Sequence, residues 1–243
     1  MNSLEPNPPA GKWVTEVIAR NYKLLEGAVR PAWLPTLANV RVLTKSTVVA
    51  EFREYGCGTF GCVYPTLDQN VVMKVTTDDT EAEFAAYLYP TMTEDVTVAY
   101  HQTVRTNDQH NGNPIYLLWR EAAENVGMIV KYVEETSGSG AAARDVIHRQ
   151  WLSAQDVVKA IYSGAPANEI GALAAGWAIQ LEEMATQTAV PELHALAERM
   201  LKTYRSQAIF FGDVHEGNIG YVTRNGLGSW VVTDPGHIAV IKA

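Results

Sequence analysis

The stretch Phe211-Gly212-Asp213-Val214-His215-Glu216-Gly217-Asn218, followed by Val231-Val232-Thr233-Asp234-Pro235-Gly236, decides how this chain reads. It holds an Asp, an Asn five residues later, and a second Asp at the end of the next apolar run. These are the parts of a phosphoryl-transfer site. Asp213 can orient a hydroxyl nucleophile and accept its proton, while Asn218 and Asp234 offer the oxygen ligands that Mg²⁺ on ATP phosphates requires. His215 lies inside the same loop. A neutral imidazole there braces the loop through hydrogen bonds, and proton transfer is the lesser alternative. Each residue also has a plainer explanation: a turn-capping Asp, a left-handed turn Asn, a strand-end Asp before Pro. Their order along the chain is what favours chemistry.

That order begins upstream. Gly56-Cys57-Gly58-Thr59-Phe60-Gly61-Cys62-Val63 fits G-x-G-x-x-G-x-V. Gly56, Gly58 and Gly61, with Thr59 and Phe60 among them, would bring backbone N–H groups close to phosphates, and Val63 would pack on a base. Alone, such a stretch is more often a glycine-rich hairpin turn. Lys74 follows Val63 by eleven residues, inside the strand pattern Val71-Val72-Met73-Lys74-Val75. A mid-strand Lys is usually solvated, but after this loop it can reach the α- and β-phosphates, with Val72 on the same face lining the adenine pocket. Such a Lys needs a counter-ion. Glu81 and Glu83 both lie in the first turn of the next helix, where acids are favoured in any case.

Composition sets outer bounds. The 243 residues suffice for one domain or a two-lobed domain, and 47% apolar residues argue against global disorder. A formal charge of −8 argues against general nucleic-acid binding, which needs a basic surface. No apolar run reaches membrane-spanning length and the first residues lack a signal-peptide core, so a cytoplasmic protein without a membrane partner is expected. The two cysteines, Cys57 and Cys62, flank the glycine-rich turn. They could form a redox switch over a nucleotide loop, but in a reducing compartment two partly buried thiols are the expectation.

The pattern along the chain predicts an α+β protein. Residues 1–12, rich in Pro and Asn, read as a loose tail, and a helix is predicted from Trp13 to about Val29. Strands are predicted at 47–52, 62–64 and 71–75. Thr80-Glu81-Ala82-Glu83 has capping-box spacing and opens a helix through Leu88. Residues 96–104 and 114–119 read as a hairpin, and the hinge that grips adenine is expected near 119–126. After the Gly/Ser break at 137–140, helices are predicted near 144–163, 168–187 and 191–206, with Pro191 at a helix start. A last hairpin, 219–222 with 230–233, turns at Asn225-Gly226. The division expected is a tail and helix at 1–38, a small sheet with one helix at 39–120, and a helical part with the catalytic and metal loops at 121–243.

Taken together, these motifs resemble the protein-kinase-like superfamily. The five-residue step from Asp213 to Asn218 is similar to the kinase catalytic loop, and the form Gly212-Asp213-x-His215-x-Gly217-Asn218 resembles aminoglycoside and choline phosphotransferases. A closer likeness is to the early serine/threonine protein kinases of T7-like bacteriophages. It is carried by the glycine loop, Val72 to Val75, Asp213 to Ile219 and Thr233 to Pro235. The resemblance covers about residues 50–240. It implies a two-lobed kinase-like fold, a small antiparallel sheet with one helix and a reduced helical lobe. It also implies ATP and Mg²⁺ as cofactors and a host or partner protein as substrate. In small-molecule kinases of this superfamily the acid that pairs the strand Lys is typically the second of an E-x-E, with a long apolar residue five positions on. Glu83 and Leu88 match that, and Glu81 is the alternative.

The sequence also departs from ordinary protein kinases. Gly212 stands where they carry Arg, and Pro235 replaces the Phe of D-F-G. Only seven residues follow Gly236, so no activation segment or later peptide-binding helices are expected, and segments before Asp213, including residues 13–38, would complete the helical lobe. A compact serine/threonine protein kinase is the leading reading. Alternatives are a small-molecule phosphotransferase, a non-catalytic kinase-like protein that binds and inhibits a partner, or nucleotidyl transfer on the same scaffold.

Overall fold

The computed structural model describes residues 17–18, 20–21, 29–33, 60–125 and 140–241. The chain is α+β and divides into two compact units, Met1–Ala86 with Tyr100–Ala122, and Tyr87–Ala99 with Ala123–Ala243.

The described residues of the first unit form a four-stranded antiparallel sheet. Its strands are β1 (Gly61–Pro65), β2 (Val71–Thr76), β3 (Tyr100–His110) and β4 (Asn113–Glu121), in the order β1-β2-β4-β3. The residues are those a two-faced strand needs, apolar and β-branched at alternate positions. Register sorts them. Cys62 pairs with Val75, Tyr64 with Met73, Met73 with Trp119 and Val75 with Leu117. These side chains, with Val71 and Ile115, form one buried core, and Val17 and Ile18 pack into it. The Trp119 indole N–H donates to the Trp33 carbonyl at 2.9 Å. β3 and β4 turn at Asn111-Gly112, with φ of 51° and 81° at these two residues, the left-handed pair that a two-residue hairpin turn demands.

After β2 comes the short helix α1 (Asp79–Glu83), which runs on as a wider π-turn, Phe84–Leu88. Asp78 caps α1, its carboxylate accepting from the backbone of Thr80 at 3.0 Å and of Glu81 at 3.2 Å. The expected capping box on Thr80 is therefore corrected. The chain places the cap two residues earlier, because Asp78 supplies the acceptor for the orphan N–H groups first.

The described residues of the second unit include three helices, α2 (Gly140–Tyr162), α3 (Ala167–Gln187) and α4 (Pro191–Gln207), with β5 (Glu124–Asn125), β6 (Ile209–Phe211), β7 (Ile219–Arg224), β8 (Leu227–Val232) and β9 (Ile238–Val240). Pro191 opens α4 as expected, and its stripe Leu193, Leu196, Ala197, Met200 and Leu201 is buried. Trp177 of α3 lies at the centre, edge-on to Phe210 at 4.7 Å and to Tyr204 at 5.4 Å between ring centroids. β7 and β8 turn at Asn225-Gly226, with β5 on the outer side of β7. β6 pairs with β9, joining Ile209 to Val240 and Phe211 to Ile238.

Several expectations change. Residues 96–99 are not part of the β3 hairpin. Thr97 bridges Val232 in parallel, Val98 N–H donates to the Val232 carbonyl at 3.0 Å, and Leu88, Met92 and Val96 pack on the second core. The segment 87–99 therefore belongs with the helices, not with the sheet unit. The described residues near the N-terminus, Val17, Ile18 and Trp33, join the sheet core and do not complete a helical lobe. Cys62 is buried and disulfide-bonded, not the reduced thiol expected, and its bonding partner lies outside the described residues. The predicted strand at 47–52, the break at 137–139 and residues Gly56, Cys57, Gly58 and Thr59 lie outside the described residues as well. Among the described residues no helix is long and apolar enough to cross a membrane.

Candidate functional site

In the first unit the predicted residues lie on the side of the sheet away from the apolar core. Lys74 and Val72 lie two apart on β2 and share that face. Val63 stands opposite Lys74, Arg120 opposite Val72, and Tyr100 opposite Arg120. Register alone thus sets Val63, Val72, Lys74, Arg120 and Tyr100 on one surface. α1 supplies the acid. Lys74 Nζ lies 2.5 Å from Glu81 Oε2, the Tyr100 hydroxyl donates to Glu81 Oε1 at 2.9 Å, and Arg120 is 3.5 Å from the same oxygen. Glu81 is fully buried and Lys74 nearly so. Phe84 packs edge-on to Tyr100 at 5.8 Å and closes one side of the cluster.

This corrects the preferred partner of Lys74. Glu83 is exposed, and the ion pair goes to Glu81. With Asp78 as cap, Glu81 is the third helical residue and Glu83 the fifth, so the two acids are about 200° apart around the axis. Only one can face the sheet, and the cap sets which. Arg120 and Tyr100 are the members of this cluster that the sequence reading did not single out. The available signal was an Arg two residues beyond Leu118, directly after the run Ile115-Tyr116-Leu117-Leu118-Trp119.

Of the glycine loop, Phe60, Gly61, Cys62 and Val63 are described. Phe60 is exposed, and its carbonyl accepts from Thr77 N–H at 2.8 Å. At Gly61 a Cβ would lie 1.9 Å from the Val75 carbonyl oxygen. Strand pairing alone therefore requires glycine there.

In the second unit, Asp213 leaves the end of β6 in a loop fixed from several directions. Asn218 Nδ2 donates to the Asp213 carbonyl at 2.9 Å and to its Oδ2 at 3.1 Å. The Trp151 indole Nε1–H of α2 donates to the other carboxylate oxygen, Oδ1, at 3.1 Å. Gln155 Nε2 donates to the Gly212 carbonyl at 2.8 Å, and Gln150 Nε2 donates to the Val214 carbonyl. The carboxylate itself is 29% exposed, enough to meet a ligand while its orientation is set.

The motif spacing now has a physical basis. His215 Nδ1 accepts the Gly217 N–H at 3.0 Å, so a neutral ring carries its proton on Nε2, which lies 3.9 Å from Asp213 Oδ1. A Cβ on Gly217 would sit 2.8 Å from the His215 ring. The His215 ring thus packs directly over Gly217. Gly212 has an equally specific cause. Its N–H donates to the His237 carbonyl at 3.1 Å, and a Cβ there would meet that oxygen at 2.6 Å and Val158 at 2.7 Å. There is no room for a side chain at this position.

Asp234 follows β8 and is half-buried, and the adjoining Thr233 N–H donates to the Asn218 carbonyl at 2.8 Å, tying the two loops together. The donor set suits a hard cation. The amide nitrogen of Asn218 donates to Asp213, which leaves its Oδ1 as the side-chain oxygen it can offer a metal, and Asp234 brings a carboxylate. Asp213, His215 and Asn218 are thus brought together in one loop, which Thr233, next to Asp234, joins by its N–H, and Lys74 pairs with Glu81 in the sheet unit. Trp151, Gln150 and Gln155 carried no motif, and the sequence reading placed them only on a helix. No family model matches the chain, and no curated protein is similar to it.

Proposed function

We propose that this protein is an ATP- and Mg²⁺-dependent phosphotransferase of the kinase-like fold, a compact serine/threonine protein kinase acting on a host or partner protein. The observation that carries the reading is the Asp213 loop. One side chain, Asn218, fixes both the main chain and the carboxylate of Asp213 and keeps its own carbonyl oxygen for a metal. Lys74, held by buried Glu81, is assigned to the nucleotide phosphates, with Val63 and Val72 beside it for the base. The two clusters are assigned to one reaction by the order of their motifs along the chain.

In this reading Asp213 orients the acceptor hydroxyl and takes its proton as the oxygen attacks the γ-phosphorus of ATP. The bond to the β,γ-bridging oxygen breaks, and the products are a phosphate ester and ADP. His215 does not handle the proton. Its Nδ1 is engaged by Gly217, and it braces the loop. Mg²⁺, when bound, neutralises charge on the β- and γ-phosphate oxygens. Asn218 and Asp234 would hold it.

A small-molecule acceptor is favoured by one observation. A cavity of about 400 Å³ in the second unit is lined by Arg144, Ile147, His148, Trp151, His215 and Glu216, beside the catalytic loop. Intact-mass analysis of the protein and of candidate acceptors after incubation with Mg²⁺ and ATP separates the readings. A protein acceptor gaining one phosphoryl group is expected. A nucleotidyl adduct, or no transfer by a protein that still binds ATP, would overturn the proposal.

A further inference from the structure

We infer that Trp151 is a positioning residue that sets the orientation of the Asp213 carboxylate for transfer. The inference rests on the phosphotransferase reading above and adds a residue outside every recognised motif.

Three side chains of α2 hold three successive residues of the loop. Gln155 binds the carbonyl of Gly212, Trp151 the carboxylate of Asp213, and Gln150 the carbonyl of Val214. Gln150 is fully buried and is itself fixed, its Oε1 accepting the Trp177 indole N–H at 3.0 Å. The grip therefore reaches from the core of the helical unit to the reacting group. Trp151 differs from the two glutamines in what it touches. They bind main-chain carbonyls and hold the loop in place. Trp151 binds Asp213 Oδ1 while Asn218 binds Oδ2, so each carboxylate oxygen has one neutral donor and rotation about the Cβ–Cγ bond is blocked. His215 packs edge-on to the same indole at 5.9 Å and limits its movement from the other side.

A carboxylate that takes a hydroxyl proton must present one oxygen to it at hydrogen-bond distance, and misplacement by an ångström costs rate and not nucleotide affinity. Removing the indole donor should therefore lower kcat and leave KM for ATP unchanged.

The test replaces Trp151 with benzothienylalanine, which has the same shape but carries sulfur in place of the N–H, and with 5-fluorotryptophan, which keeps the N–H. Trp151→Phe serves as the encoded counterpart. With the acceptor found by mass analysis, the benzothienylalanine protein should lose roughly 10- to 100-fold in kcat. Its KM for ATP should stay within about twofold of the parent, the pattern of an interaction made in the transition state. The 5-fluorotryptophan protein should retain the parent kcat, and melting temperatures should agree among all three. An unchanged kcat in the benzothienylalanine protein overturns the inference alone. An equal loss in both analogues also overturns it, because the effect would then be one of packing. Absence of transfer by the parent protein overturns the phosphotransferase reading and the inference with it.

Discussion

The Lys74 cluster and the Asp213 loop each hold a charge in place, by opposite means. In the sheet unit, charge holds charge. Glu81 is fully buried against Lys74 and Arg120, and the Tyr100 hydroxyl donates to it. In the helical unit, neutral groups hold a half-exposed charge. Asp213 is bound by an indole N–H and an amide, and the loop around it by two glutamines. Burial makes the difference matter. A charge withdrawn from water must be paired, so losing one partner leaves the other uncompensated. A half-exposed carboxylate keeps part of its hydration, so losing it removes chemistry and little stability. On the roles proposed above, the first cluster therefore couples stability to function, and the second separates them.

The largest effect is expected where stability and function separate. Asp213→Asn should lower turnover by roughly 10²- to 10⁴-fold, with melting temperature and ATP affinity nearly unchanged. Isothermal calorimetry beside a steady-state assay checks this. A variant that unfolds would show that the loop charge is structural after all.

The opposite signature is expected at Glu81. Glu81→Ala should destabilise the fold by about 3–5 kcal/mol, because Lys74 and Arg120 lose their buried counter-charge. Glu83→Ala, at an exposed position of the same helix, should stay within about 0.5 kcal/mol. Urea denaturation of the pair gives both numbers, and equal losses would refute the assignment of Glu81 as the partner.

Gly212→Ala tests whether the loop is fixed by close packing. The added methyl meets the His237 carbonyl and Val158, and a cost of about 1–3 kcal/mol is expected, read as a fall in denaturation midpoint. A neutral outcome would mean that β6 and β9 can separate locally.

The smallest effect is expected at His215. His215→Ala should reduce turnover by less than about tenfold, since the ring accepts the Gly217 N–H and the proposed mechanism gives it no proton to transfer. A His215 variant as inactive as Asp213→Asn would reverse the roles assigned to the two.

Much of the architecture was legible in the chain because it is local. The α4 stripe behind Pro191, the Asn225-Gly226 turn and the strand Val71–Thr76 are set by periodicity and turn chemistry, and the structure places them where the pattern does. The segment 96–99 was misread because a short apolar run pairs equally well with several edges. Only the position of β8 sends Val98 to Val232 and not along the β3 hairpin.

By itself, the sequence determined which residues could do chemistry. Asp213, His215, Gly217 and Asn218 are close in the chain, and their spacing follows from contacts made within one loop, such as the His215 ring over Gly217. The tertiary structure alone decided what holds them. Glu81 prevails over Glu83 because the Asp78 cap sets the phase of α1 against the sheet. Trp151 reaches Asp213 from 62 residues away because α2 packs beside the loop. A contact between residues distant in sequence leaves no spacing in the chain to be read. It exists only once burial of the apolar faces has brought helix and loop together.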